Sequence, residues 1–218
     1  MKTLLKIITC WGILGSFLFV CPHTVSAWTF DVGLSLSSAS LQIQSSDDET
    51  LGEMVSRTSV WPGISIGSRE RYFGDSKFGY SVFFFAWFME MDKQKVDGQE
   101  LDLGTSVSGY FAYLTPTISY RFGDRYSMES PNWMMTVGLG LGLGYLYVNG
   151  DIIATRLNPP QRQSLHEGGF GLSSGIFAEI IKKRWFLRFT NFGPILDRDT
   201  FKLSLQYYSF FLGRRFEL

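Results

Sequence analysis

The chain has 218 residues, with 20 basic and 20 acidic side chains, and it is rich in Phe (20), Tyr (10), Trp (6) and Gly (23). So even a balance of charge argues against a nucleic-acid partner, which needs a basic stripe. Both cysteines, Cys10 and Cys21, lie near the N-terminus. A chain trimmed beyond them has no disulfide framework, cysteine nucleophile or thiolate metal site.

The N-terminus reads as a leader. Lys2 and Lys6 form a basic head, Ile7 to Val20 is apolar, and Val25-Ser26-Ala27 offers small residues at a cleavage site. This predicts a signal peptide over residues 1–27, cleaved after Ala27, and one domain over 28–218. The apolar run is too short for a membrane-spanning helix. A lipoprotein would be anchored at Cys21, but Val20 is not the small residue such processing needs.

From Trp28 onward the pattern is alternation. Trp28, Phe30, Val32, Leu34 and Leu36 interleave with Thr29, Asp31, Gly33, Ser35 and Ser37, the two-residue period of a strand. Further strands are predicted near 58–69, 78–91, 104–122, from Trp133 to Tyr147, and near 169–182, 185–196 and 201–218. In the segment from Trp133, large apolar residues alternate with Gly138, Gly140, Gly142 and Gly144. A face of glycine and serine suits a narrow lumen better than bulk water, and strands of about ten residues suit a tilted membrane crossing. The fold expected is all-β: an antiparallel transmembrane barrel of about eight strands in an up-and-down meander.

The connections alternate in length. Those at 44–57, 92–103 and 150–167 are long, those at 70–77 and 183–184 short, and 123–132 intermediate. Short turns belong on the periplasmic side of an outer-membrane barrel and long loops outside. Trp28, Trp133 and Trp185 then begin outward-running strands and form an inner aromatic girdle with Tyr120, Phe122 and Phe216, while Phe88, Tyr145 and Tyr147 form the outer one. Pro62 and Pro116 fall within strands and predict bulges or strand ends. Apolar parity changes between Tyr207 and Phe210, which predicts a bulge near Tyr208 and Ser209.

The leader, the alternating strands, the run Val137-Gly-Leu-Gly-Leu-Gly-Leu-Gly-Tyr145 and the end Phe210-Phe-Leu-Gly-Arg-Arg-Phe-Glu-Leu218 resemble the small OmpA-like and OmpX-like outer-membrane barrels of Gram-negative bacteria. The resemblance covers the mature chain as a pattern. It implies outer-membrane lipid and lipopolysaccharide as surroundings. It also implies the barrel-insertion machinery as a partner, reading Phe210, Leu212, Phe216 and Leu218 of the last strand. Arg214 breaks that alternation, and the terminal residue is Leu where the group often has Phe.

Three constellations are candidates for function. Asp31, Arg121, Glu179 and Arg188 share lumen parity, with Glu179 and Arg188 facing each other across the turn at Lys183-Arg184. They form either a structural plug or a gate whose loss would raise conductance. Trp61, Phe83, Phe85, Trp87, Phe111 and Tyr113 share lumen parity nearer the outer end. A hairpin centred on Asp97-Gly98 would set Phe85 opposite Phe111 and Phe83 opposite Tyr113. These rings either fill the lumen or line an apolar ligand pocket or narrow channel, an interior of the kind outer-membrane palmitoyltransferases use.

The third constellation is Ser164-Leu-His-Glu167, which cannot form a triad alone because the partners must converge in space. Arg188-Phe-Thr-Asn-Phe-Gly193 is faintly similar to the His-x-Ser-Asn segment of lipid A deacylases. Arg188 stands where the histidine should be, and without that base the deacylase mechanism fails. The acidic run 45–50 lacks EF-hand spacing. The sequence therefore predicts no cofactor and no metal. The leading expectation is a non-enzymatic barrel with a structural role or an extracellular partner bound through its outer loops. The alternatives are a hydrophobic-ligand site or narrow channel, and a lipid A or phospholipid-modifying enzyme.

Overall fold

A computed structural model describes residues 28–45, 50–125, 132–155, 159–198 and 201–217. The segment 1–27 expected to be a signal peptide, most of the acidic run and Leu218 lie outside the described residues. The strands are β1 (Trp28–Ser45), β2 (Thr50–Val55), β3 (Ser59–Ser68), β4 (Arg71–Tyr72), β5 (Phe78–Met91), β6 (Lys93–Val96), β7 (Gln99–Leu101), β8 (Val107–Phe122), β9 (Met134–Ala154), β10 (Gln161–Lys182), β11 (Trp185–Asp197) and β12 (Phe201–Glu217). Eight of them close a ring in the order β1-β3-β5-β8-β9-β10-β11-β12, with β12 pairing back onto β1 antiparallel. Closure removes most of the free edge that hydrocarbon cannot satisfy, the exception being a stretch between β3 and β5.

The long connections are mostly strand. β9 and β10 pair from Ile181↔Met134 out to Gln161↔Ala154, through residues read as loop in the sequence. The segment 92–103 holds the β6–β7 hairpin, which turns at Asp97 (φ 50°) and Gly98 (φ 82°). β1 pairs with β3 in its first half and with β2 in its second.

These long strands change character part-way. In β12, Phe210, Leu212 and Phe216 point out and are exposed, while Ser209, Gly213 and Arg215 point in. Beyond Ser209 the sense reverses: Leu203, Leu205 and Tyr207 point in, and Gln206 points out. β1 does the same, with Leu34 and Leu36 outward but Leu41 and Ile43 inward. The register between β1 and β12 runs unbroken from Thr29↔Glu217 to Ser45↔Phe201. The bulge expected near Tyr208 and Ser209 is therefore absent. The parity change marks where the strand leaves lipid for water, so that apolar residues turn from the outer face to the inner. The outer part of the barrel is a water-exposed extension with its own core, in which Leu41, Met54, Met91, Val107, Leu146 and Leu203 are fully buried.

Neither proline makes a bulge. Leu34 pairs with Pro62 in an unbroken β1–β3 register. At Pro116 two bridges to β9 are missing, yet Leu114↔Leu143 and Thr117↔Gly140 stay in one register.

Around the membrane-embedded half, Val32, Leu34, Ile64, Leu139, Leu141, Ile176 and Leu212 face outward and are exposed. Trp28, Trp133, Trp185 and Phe216 are exposed at the short-turn end. Tyr110, Tyr145 and Tyr147 stack at the opposite boundary, with centroids 5.9 and 5.2 Å apart. The apolar band and its two aromatic rims are those of a membrane-spanning barrel.

The glycine face of β9 makes room for rings of the neighbouring strands β10 and β11. A methyl on Gly138 would stand 2.5 Å from the Phe177 ring and 2.6 Å from the Ile118 carbonyl oxygen. Gly138→Val is expected to cost about 1–3 kcal/mol, read as a lowered midpoint of the urea-dependent shift in heat-modifiable gel mobility.

Candidate functional site

The lumen is filled in layers. Nearest the short turns, Met134, Ile181, Phe186 and Phe211 pack together. Next is a buried ionic quartet from four strands: Asp31 on β1, Glu179 on β10, Arg188 on β11 and Arg215 on β12. Arg188 Nε donates to Glu179 Oε2 at 2.8 Å, Nη1 to Ser65 Oγ at 3.1 Å and Nη2 to Asp31 Oδ2 at 2.5 Å. Arg215 Nε donates to Asp31 Oδ1 at 2.8 Å, while its Nη1 and Nη2 donate to the Glu179 carboxylate at 3.0 and 2.7 Å. Two positive and two negative groups thus neutralise each other with nearly every polar atom engaged, the condition under which burying charge is tolerable. The Arg188 guanidinium also lies over the Phe83 and Phe186 rings, at 4.8 and 4.9 Å from their centroids.

The register pairs Glu179 with Arg188. Arg121, grouped with them by parity, is not in the quartet. It lies nearer the short-turn rim with its guanidinium 4.5 Å over the Tyr72 ring. The member missed in the sequence is Arg215. Its signal was present: with Phe216, Leu212 and Phe210 outward, Arg215 must point inward. Cavities beside the quartet measure about 30 and 20 Å3, room for little more than a water molecule.

Above the quartet stands an aromatic layer. Phe85 lies 5.4 Å from Tyr113 and 5.6 Å from Tyr207, Phe111 lies 4.9 Å from Tyr207, and Tyr113 stacks on Phe192 at 5.3 Å. The expected pairing across β5 and β8 is off by two residues: Tyr113 faces Phe85 and Thr115 faces Phe83. Phe111 is fully buried and the cavity beside Phe85, Tyr113 and Phe192 measures only about 20 Å3, so these rings fill the axis and leave no room there for an apolar ligand. Trp61 corrects the parity reading: it is 56% exposed and bonds Ser59 instead of entering the lumen. Higher still, the extension core closes the axis. There buried Gln94 on β6 accepts from the Ile153 N–H at 3.0 Å and donates to its carbonyl.

The wall, by contrast, is open on one side. β3 and β5 pair only at Ile66↔Phe84 and Gly67↔Phe83, and the ring closes again above through β2–β6, from Val55↔Lys93 to Glu53↔Lys95. Between these seams Ser59–Ser65 and Phe85–Met91 have no partner across the gap, though each strand is fully paired on its other side. A cleft of about 800 Å3 occupies the gap, lined by Trp61, Pro62, Ala86, Trp87, Met89 and Tyr207 and rimmed by Ser37, Ser59, Arg57, Glu90 and Asp92. Among the described residues, the Arg57–Asp92 ion pair, at 2.8 Å, spans the rim.

The remaining polar candidates lie on the outer surface of the extension. His166 Nδ1 is 3.2 Å from Asn149 Oδ1, and Ser164 donates to Asp151 at 2.8 Å. Arg188, at the position of the deacylase histidine, belongs to the quartet.

No protein-family model and no curated protein matches the chain. Solved structures do. Ail, the attachment invasion locus protein of Yersinia pestis, is 13% identical with a TM-score of 0.37, over 88% of this chain and all of that one (100%). Neisserial surface protein A is 14% identical with a TM-score of 0.44, over 88% and 97% of the two chains. OprG of Pseudomonas aeruginosa is 11% identical with a TM-score of 0.40, over 89% and 97%. This chain has the fold of a small outer-membrane β-barrel. The ring closure and the apolar band establish that.

Proposed function

We propose that this chain is a sealed, non-enzymatic barrel of the outer membrane whose working surface is its rigid outward extension, through which it contacts an extracellular partner or braces the envelope. The observation that carries this reading is the inversion of polarity along β1, β9 and β12, with Leu139 and Leu141 of β9 outward but Leu146, Val148 and Ile152 inward, in long strands that together with β10 reach past the lipid. Strands of 18, 21, 22 and 17 residues exceed the roughly ten that a crossing needs. The surplus builds a solid core beyond the lipid, which is useful for presenting a surface and obstructs transport along the axis.

Outer-membrane lipid surrounds the apolar band, and the outward Phe210, Leu212 and Phe216 of β12 suit recognition by the barrel-insertion machinery. His166 and Ser164 stand on the outer face of the extension, bonded to Asn149 and Asp151, which favours the non-enzymatic reading. The purified barrel in planar bilayers is expected to give no conductance steps, and membranes with and without it are expected to carry identically acylated lipid A and phospholipid. Regular conductance steps would overturn the sealed reading, and a gained or lost acyl chain the non-enzymatic one.

A further inference from the structure

We propose that the gap between β3 and β5 is a lateral binding site for the acyl chain of a membrane phospholipid whose headgroup carries both charges. This site lies in the wall, apart from the aromatic lumen, and goes beyond the surface role. The first reason is where it opens. The cleft spans the level at which β1 turns from outward Leu36 to inward Ala39, the outer boundary of the membrane. Its mouth is flanked by outward Val60, Ile64, Phe84 and Phe88, 44–80% exposed like the rest of the apolar band. A chain in the surrounding lipid reaches it sideways without crossing water.

The second reason is the bare backbone. Unpaired N–H and C=O groups facing hydrocarbon are costly enough that open sheet edges do not persist at lipid depth. β5 from Phe85 to Met91 has such an edge on this side. An alkane would leave those groups unsatisfied, whereas the ester and phosphate oxygens of a phospholipid accept from the bare N–H groups and a headgroup ammonium donates to the bare carbonyls. The third is the lining, graded from Trp61, Ala86, Trp87 and Met89 to a rim of Arg57, Glu90 and Asp92. Arg57, one of whose nitrogens already pairs with Asp92 at 2.8 Å, would share its guanidinium with a phosphate, and the exposed carboxylate of Glu90 suits an ammonium. With two acids to one base, the rim disfavours a purely anionic headgroup. The volume of about 800 Å3 lies within the range of pockets that hold lipid-sized ligands.

Native mass spectrometry of the barrel released from vesicles of phosphatidylethanolamine and phosphatidylglycerol tests this. One retained lipid per barrel is expected, with phosphatidylethanolamine in excess. Ala86→Trp, which fills the mouth, lowers that occupancy about tenfold, a difference such a measurement resolves readily. Glu90→Lys, on an exposed side chain, turns the preference toward phosphatidylglycerol. Heat-modifiable mobility verifies that each variant is folded. Equal retention by wild type and Ala86→Trp would mean annular lipid only and would overturn the proposal. So would a disulfide forming spontaneously in the double variant Ile64→Cys, Ala86→Cys. Those positions follow Ile66↔Phe84 in register, and bonding there would mean that the strands pair and the gap is closed.

Discussion

Glu179→Leu is expected to destabilise the barrel by about 3–5 kcal/mol while leaving it closed to ions. The substitution removes a carboxylate that accepts from both Arg188 and Arg215. Asp31 is then the quartet's only anion against two guanidiniums, and one positive charge stays buried without compensation. Breaking such a group by removing one member costs far more than the group contributes when intact. The double variant Glu179→Leu, Arg188→Leu restores one acid to one base and should recover most of the loss. The urea midpoint of heat-modifiable mobility reads the stability, and planar-bilayer conductance reads the seal. A gate would open in the single variant. A plug backed by the aromatic layer and the extension core stays shut, so conductance steps in folded Glu179→Leu would restore the gating reading.

The second large effect concerns β12, where lysine scanning should give three different costs along one strand. Leu203→Lys buries an ammonium in the extension core, where Leu203 is fully buried, and is expected to cost about 4 kcal/mol or more. Leu212→Lys, 56% exposed on the outward face of the membrane half, places the charge in lipid and costs about 2–4 kcal/mol. Gln206→Lys, on the outward face of the extension, should be neutral within about 0.5 kcal/mol. If a bulge turned the strand over near Ser209, Leu203 would instead face lipid near the interface, where a lysine costs only about 0–1 kcal/mol. Unfolding midpoints of the three variants therefore distinguish an inverted polarity from an inverted strand.

That contrast explains what the sequence could carry. Alternation is local, so the strands, the ring and the inward parity of Asp31, Glu179 and Arg188 were readable residue by residue. Alternation has no sign, however. Leu203 inside a core and Leu212 against lipid leave the same two-residue rhythm, and only the solvent on each side tells them apart. A bulge was the economical reading, and it concealed the extension, whereas the inward direction of Arg215 stayed legible in the parity of Phe210, Leu212 and Phe216. The β5–β8 register slipped by two residues because the turn is not a simple hairpin: β6 and β7 intervene, and β6 pairs with β2. The lateral gap was illegible for a related reason. It exists because β6 takes over a seam that β5 leaves, and no local feature near Trp61 or Pro62 announces a pairing partner that is missing.

The quartet also constrains how the chain can assemble. Asp31 belongs to the first strand and Arg215 to the last, and they meet across 184 positions of sequence. Until the end of the chain arrives, a growing sheet carries Asp31, Glu179 and Arg188 toward the bilayer without their full set of counter-charges. Carrying bare charge through hydrocarbon is expensive, so a half-built sheet is poorly able to enter lipid by itself. The contact that completes neutrality is made by the same two strands that close the cylinder, and the barrier to insertion therefore falls only at the final seam.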